Sequence, residues 1–135
     1  MLLLSNNAEQ TIQPGEVVNY NLRVMQSGCG ECYMLGTGSV KMRARGIYLV
    51  SFGANVTGET AGTPVQLSFR LGGEAVIPGT DMIYTPATAN AFGNVSKTVH
   101  VSNRCCDVDR ISVVNTGTVP ITIGANPSFD IRRDA

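Results

Sequence analysis

The four cysteines fall in two clusters, Cys29-Gly30-Glu31-Cys32 and Cys105-Cys106. Cys-x-x-Cys is a recurrent zinc-ligand pair, and four thiolates would complete a tetrahedral site. Adjacent cysteines on an extended backbone, however, point to opposite faces, which keeps Cys105 and Cys106 from sharing one metal. In the two-sheet fold argued below, the loops carrying the two clusters are also expected at opposite ends. The cysteines are therefore read as free or locally bridged thiols, with no metal site. The favoured bridge is Cys29–Cys32, which closes so small a loop that it stabilises little.

His100 is the sole histidine. A nucleophile–base pair would have to use it, with Asp107 or Asp109 to orient it and Ser102 or Cys105 to attack. It alternates outward from Val99 and Val101, and nothing in the spacing demands a triad, so it is read as a solvated strand residue. No cofactor fingerprint or paired acid–base motif is present, so the chain is read as a non-enzyme without cofactors. Asp107-Val108-Asp109 with Glu31 could offer oxygens to calcium, but two carboxylates in a turn are ordinary turn formers. Asn55-Val56-Thr57 and Asn94-Val95-Ser96 match the glycosylation sequon, which matters only on a eukaryotic secretory route. Lys41, Arg43 and Arg45 share one strand face and read as a solvated surface. Among the aromatics, Tyr48 and Phe52 alternate inward, whereas Tyr33 and Tyr84 sit in less regular segments and are the candidate partner contacts.

The elements that must position these residues are strands. Apolar residues recur with a period of two almost throughout, and helical periodicity is nearly absent. The runs are Val18 to Val24; Val40, Met42 and Ala44; Tyr48, Val50, Phe52, Ala54 and Val56; Val65, Leu67, Phe69 and Leu71; Val95, Val99 and Val101; Ile111 and Val113; and Val119 to Ala125, leading to Phe129 and Ile131. Turn signals separate them, among them Gln13-Pro14-Gly15, Gly36-Thr37-Gly38, Pro78-Gly79 and Asn115-Thr116-Gly117. Thr80 to Phe92 has less pattern and is expected to hold a long surface loop. Strands with one buried face each must pair into two packed sheets or one closed sheet, and a two-sheet sandwich is favoured. The core is expected to hold Tyr48, Val50, Phe52, Val65, Leu67 and Phe69. Ile47 and Leu49 oppose Tyr48 and Val50, so both sides of that strand want cover.

Composition supports the same class. The 135 residues are 43% hydrophobic and 15% charged, with 15 glycines, enough for one domain spanning 1–135 with its own core. Ten basic residues balance ten acidic ones. Such a surface exerts no long-range pull on nucleic acid or anionic lipid, and it lacks the self-repulsion that opposes association. No apolar run has the length to span a bilayer. Met1-Leu2-Leu3-Leu4 is too short for a secretory signal, so synthesis in the cytoplasm is expected.

The order of the pieces resembles the tumour necrosis factor and complement globular-head superfamily. Gly46-Ile47-Tyr48-Leu49-Val50-Ser51-Phe52 is similar to that family's Gly-x-Tyr-x-x-Ser-Phe strand, and Ser39-Val40-Lys41-Met42 precedes it as a short strand. Val65 to Gly73 resembles the family's strand-and-turn hairpin. Ile111 to Asn115, Ile121 to Ile123 and Phe129-Asp130-Ile131 fit its last strands. The likeness runs from about Val17 to Ile131. Bacterial and phage members, at the tips of fibre-like surface proteins, are resembled in the approach from Asn21 to Ser27-Gly28-Cys29 and in cysteines before the penultimate strand. No Gly-x-y stalk is present.

The resemblance implies an all-β, two-sheet antiparallel jelly-roll sandwich of ten strands that forms a tight homotrimer. It further implies a structural or attachment role on a virion or bacterial surface assembly, as a fibre tip, decoration or receptor-binding domain meeting a glycan or protein receptor. A lectin-like glycan-binding domain is the alternative.

Overall fold

A computed structural model describes residues 1–27, 32–72, 75–103 and 110–134, apart from the side chains of Tyr33 and Leu35. Among these residues the chain forms thirteen strands. They are β1 (Leu2–Ser5), β2 (Gln10–Ile12), β3 (Leu22–Gln26), β4 (Cys32–Leu35), β5 (Ser39–Met42), β6 (Gly46–Thr57), β7 (Val65–Leu71), β8 (Ala75–Val76), β9 (Met82–Tyr84), β10 (Gly93–Asn103), β11 (Arg110–Asn115), β12 (Ile121–Ile123) and β13 (Ser128–Arg133).

Every strand pairing is antiparallel, and the strands divide into two sheets. In the first, β6 pairs with β10 along one edge, while its other edge is shared by β13 and, further along, β12. The sheet continues from β13 through β1 to β3, and from β12 to β2. The second sheet runs β4-β5-β11-β7, and both β8 and β9 pair with β7. This is a jelly-roll sandwich. The strand count exceeds ten partly because single positions beside β6 and β7 are filled by two short pieces each.

The period-two pattern decides what lies between the sheets. Tyr48, Val50, Phe52, Val65, Leu67 and Phe69 are all buried, as the alternation requires, and Leu2, Leu4, Ile111, Ile121, Ile123, Phe129 and Ile131 join them. Phe129 is the aromatic hub. Its ring lies 6.2 Å from those of Phe52 and Phe69, one from each sheet.

Two expectations are revised. The alternation from Val18 to Val24 is not one strand. Val18 and Tyr20 are buried outside any strand, whereas β3 begins at Leu22 and leaves Val24 58% exposed. The reason is a register shift opposite Leu3 and Leu4, which breaks the inward–outward phase on a strand that, among the described residues, pairs only with β1. Thr80 to Phe92 holds the expected loop over 85–92, and before it β9, which pairs with β7. Cys29, Cys105 and Cys106 lie outside the described residues, and the expectation that their loops lie at opposite ends lies outside them too. Asn103, which precedes segment 104–109, donates its amide to the Met42 carbonyl at 2.9 Å. Met42 is the cross-strand partner of Cys32.

Candidate functional site

The sheets' inner faces are consumed by the core, so chemistry directed at a partner must come from outer faces, edges and loops. On the first sheet, β6, β10 and β13 set their outward residues in register. Ser51 stands between Thr98 and Asp130, Gly53 between Ser96 and Ser128, and Leu49 between His100 and Arg132. Asp130 in turn neighbours Leu3, and Leu3 neighbours Met25. The centre of this face is small and polar, and the Ser51 and Thr98 hydroxyls bond each other at 2.7 Å. One end is apolar, with Ile47 43% exposed and Leu49 half-buried. At the other end Asn94 Nδ2 donates to Asn55 Oδ1 at 3.2 Å.

Charge enters the face with both signs. Asp130 is half-buried, and its Oδ1 lies out of solvent with no hydrogen-bond partner among the described residues. Arg132 follows two positions on, and His100 Nε2 sits 3.2 Å from Asp134 Oδ2. His100 is thus outward, as its alternation requires. Its acidic partner comes from beyond β13, because the Asp134 amide donates to the Ile47 carbonyl and folds the chain across the end of β6. No local spacing could have revealed that pair. The alternatives Asp107, Asp109 and Cys105 lie outside the described residues, as do Glu31 and Cys106. Ser102 lies two residues along the same strand on the same face, while the imidazole Nε2 is directed at Asp134.

β10 is an eleven-residue edge strand, the kind of edge that recruits further strands unless protected. Lys97 supplies the protection. It occupies the inward parity between Val95 and Val99 and is half-buried, so a charge interrupts the apolar row.

The remaining candidates are more scattered. Cys32 is buried on β4, and its expected disulfide partner Cys29 lies outside the described residues. Tyr33 stands opposite Lys41 on β5. Tyr84 is half-buried: its hydroxyl donates to the Ala91 carbonyl at 2.9 Å and its ring covers Gly93, where any Cβ would meet it. Much of Tyr84 therefore braces the 85–92 loop. Arg43 and Arg45 are exposed and Lys41 half-buried. The exposed aromatic that the sequence reading missed is Phe92, placed at the end of an unpatterned stretch and 49% exposed. Among the described residues, no cluster of three or more His, Cys, Asp or Glu side chains could hold a metal ion, and no helix is long and apolar enough to cross a membrane.

No family model matches this sequence, and no curated protein does. Solved structures match over nearly the whole chain. The globular domain of a zebrafish complement 1qA protein shares 14% identity at a TM-score of 0.62, covering 98% of this chain and 98% of that one. The Eiger tumour necrosis factor of S. frugiperda shares 11% identity at a TM-score of 0.72, covering 99% of this chain and 91% of that one. Murine APRIL at pH 5.0 shares 16% identity at a TM-score of 0.64, covering 97% and 96%. At such identities the likeness is one of fold: a two-sheet jelly roll of the tumour necrosis factor and complement globular-domain kind.

Proposed function

We propose that this chain is a non-catalytic homotrimeric module acting in attachment or architecture at the surface of a phage or bacterial assembly. The observation that carries the reading is the outward side of β6, where Ile47 is 43% exposed and Leu49 half-buried while Tyr48 and Val50 behind them are fully buried. A strand apolar on both sides needs cover on both, and the second cover is supplied by another copy. Leu3 and the 48%-exposed Met25 extend the apolar character across β1 and β3. Asp130, whose Oδ1 has no hydrogen-bond partner among the described residues, and Arg132 two positions on give the face charges of both signs with which a copy of itself can pair. The formal net charge of zero leaves little repulsion to oppose such contact.

The surface-assembly role rests on the resemblance of the Asn21-to-Cys29 approach and the late cysteines to bacterial and phage members. Within that role the receptor is a glycan or a protein. Sedimentation equilibrium at micromolar concentration tests the assembly. The expected species has three times the 14.3 kDa chain mass, and Leu49→Lys converts it to monomer. A stable wild-type monomer refutes the trimer. Immunogold labelling of intact cells and virions from the source tests the location, and label confined to the cell interior refutes it.

A further inference from the structure

At the end of the first sheet's outer face away from Ile47, an aromatic ring is held open rather than buried. Phe92 immediately precedes β10, and its ring rests beside Gly124. A Cβ built on Gly124 would stand 3.4 Å from Phe92 Cε1 and 3.5 Å from Asn55 Cβ, so the ring, the glycine and Asn55 are close neighbours. The Gly124 amide donates to the Asn55 carbonyl at 2.7 Å, which fixes this glycine against β6. The Asn94 amide nitrogen donates to Asn55 Oδ1 at 3.2 Å. That bond uses one donor hydrogen of Asn94 and one lone pair of Asn55. It leaves Asn55 Nδ2 as a donor and Asn94 Oδ1 as an acceptor, both on exposed side chains.

We propose that Phe92, Asn55 and Asn94 form a subsite for a neutral saccharide. The apolar face of a pyranose lies on the open side of the Phe92 ring, and two neighbouring hydroxyls meet the Asn94 acceptor and the Asn55 donor. Each sugar hydroxyl both donates and accepts, so a fixed donor–acceptor pair beside an aromatic face reads two of them at once. The surroundings select against other ligands. None of Phe92, Asn55, Asn94 or Gly124 is charged, so these groups offer no ion-pair partner to an anionic or cationic ligand. The backbone of β6 at Asn55 is engaged by β10 on one side and by Gly124 on the other, so no open edge is offered to an extended peptide. Ser96 and Ser128, flanking Gly53 in the next row, continue the hydroxyl-bearing surface for a second sugar unit.

The subsite lies within one chain. It deepens the attachment reading by naming the ligand class, and it does not require the trimer.

The chain contains no tryptophan, so Phe92→Trp introduces a single indole whose emission reports a stacked sugar directly. Intact F92W is titrated with methyl glycosides of glucose, galactose, mannose and N-acetylglucosamine at millimolar concentration, and the wild type is followed in parallel by saturation-transfer NMR. Saturable binding of at least one glycoside is expected. Phe92→Ala and, separately, Asn94→Ala should each weaken it at least about tenfold, with thermal midpoint and sedimentation mass unchanged. The proposal is overturned if no glycoside binds the wild type, or if both alanine variants bind within twofold of it. It is also overturned if Phe92→Ala lowers the solution mass, since the ring then belongs to a contact between copies. Sedimentation of the wild type tests the trimer separately, so either reading can fail without the other.

Discussion

The Tyr20 ring stacks on Phe129, centroids 5.3 Å apart and planes 17° from parallel, yet the Tyr20 hydroxyl is buried with no hydrogen-bond partner among the described residues. Tyr20 belongs to no strand. It is held by its amide, which donates to the Thr37 carbonyl at 2.7 Å, so that its ring closes the core over Phe129 from outside the sheets. Stacking and area burial favour the ring, while the orphan hydroxyl costs part of what they contribute.

Burial holds the Tyr20 phenol well above the ordinary tyrosine range, because the phenolate cannot be solvated there. The sign follows from linkage. The folded state keeps this proton where the unfolded chain, with a tyrosine near pKa 10, begins to lose it. The contribution is therefore intact below about pH 10 and is lost as pH rises beyond it. Tyr20→Phe should leave neutral-pH stability unchanged or raise it, and should flatten the alkaline decline. Urea midpoints from pH 7 to 11 decide this. A loss of more than about 1.5 kcal/mol at pH 7 would mean that the hydroxyl has a partner after all.

Phe129 contacts Tyr20, Phe52 and Phe69, which come from three separate parts of the chain. Phe129→Ala should cost roughly 3–5 kcal/mol by equilibrium denaturation, and Phe69→Ala a similar amount. Phe129→Leu, which keeps most of the volume, should recover more than half. A loss under about 1 kcal/mol for either alanine variant would place that ring outside the core.

Sequence is legible where burial enforces a simple period. β6 and β7 keep an apolar residue at every second position, so the spacing alone names their inward residues. Legibility ends where pairing partners and not side chains set the local shape. Leu2 and Leu4 are fully buried on β1, yet Met1-Leu2-Leu3-Leu4 carries too little pattern to show a strand between β13 and β3. Val24 lost its phase to a bulge set by β1. On the outer face, Asn55 and Asn94 were legible only as sequons. Their side-by-side placement follows from the full-length register of β10 on β6, which joins residues 39 apart. His100 and Asp134 meet for a similar non-local reason.

Gly93 opens β10 where Tyr84 crosses it, and a Cβ there would collide with Tyr84 Cε1. Gly93→Ala must displace the ring and with it the hydroxyl that holds the Ala91 carbonyl. The expected loss is on the order of 1–3 kcal/mol. Tyr84→Ala made in the same chain should relieve the clash, so the double variant should be more stable than the sum of the two single losses predicts. A double-mutant cycle read by thermal or urea unfolding gives the coupling directly. Additive losses would mean that the ring and the glycine do not touch.

Asn103 joins the two layers at the end where β10 stops. It is 2% exposed, and its Nδ2 donates both to the Met42 carbonyl at 2.9 Å and to the Ala44 carbonyl at 3.0 Å. Met42 ends β5 in the second sheet, while Asn103 ends a strand of the first, so one amide group ties the sheets together. The Ala44 carbonyl also accepts from the Tyr48 hydroxyl at 2.6 Å and stays satisfied if Asn103 is lost. At the Met42 carbonyl the bond from Asn103 is the one at stake. Asn103→Ala should therefore destabilise by about 1–3 kcal/mol, through the bond lost at Met42 and the small void left behind. Asn103→Asp should be worse at neutral pH. It removes both donors and sets a buried carboxylate against two carbonyl oxygens, and protonating that carboxylate at low pH should return part of the loss. Hydrogen exchange locates the effect: in Asn103→Ala the amides of β5 and the last residues of β10 should exchange faster, while those at the centre of β7 and β11 keep their protection. Uniform acceleration across both sheets would show that Asn103 supports the whole fold and not this end of it.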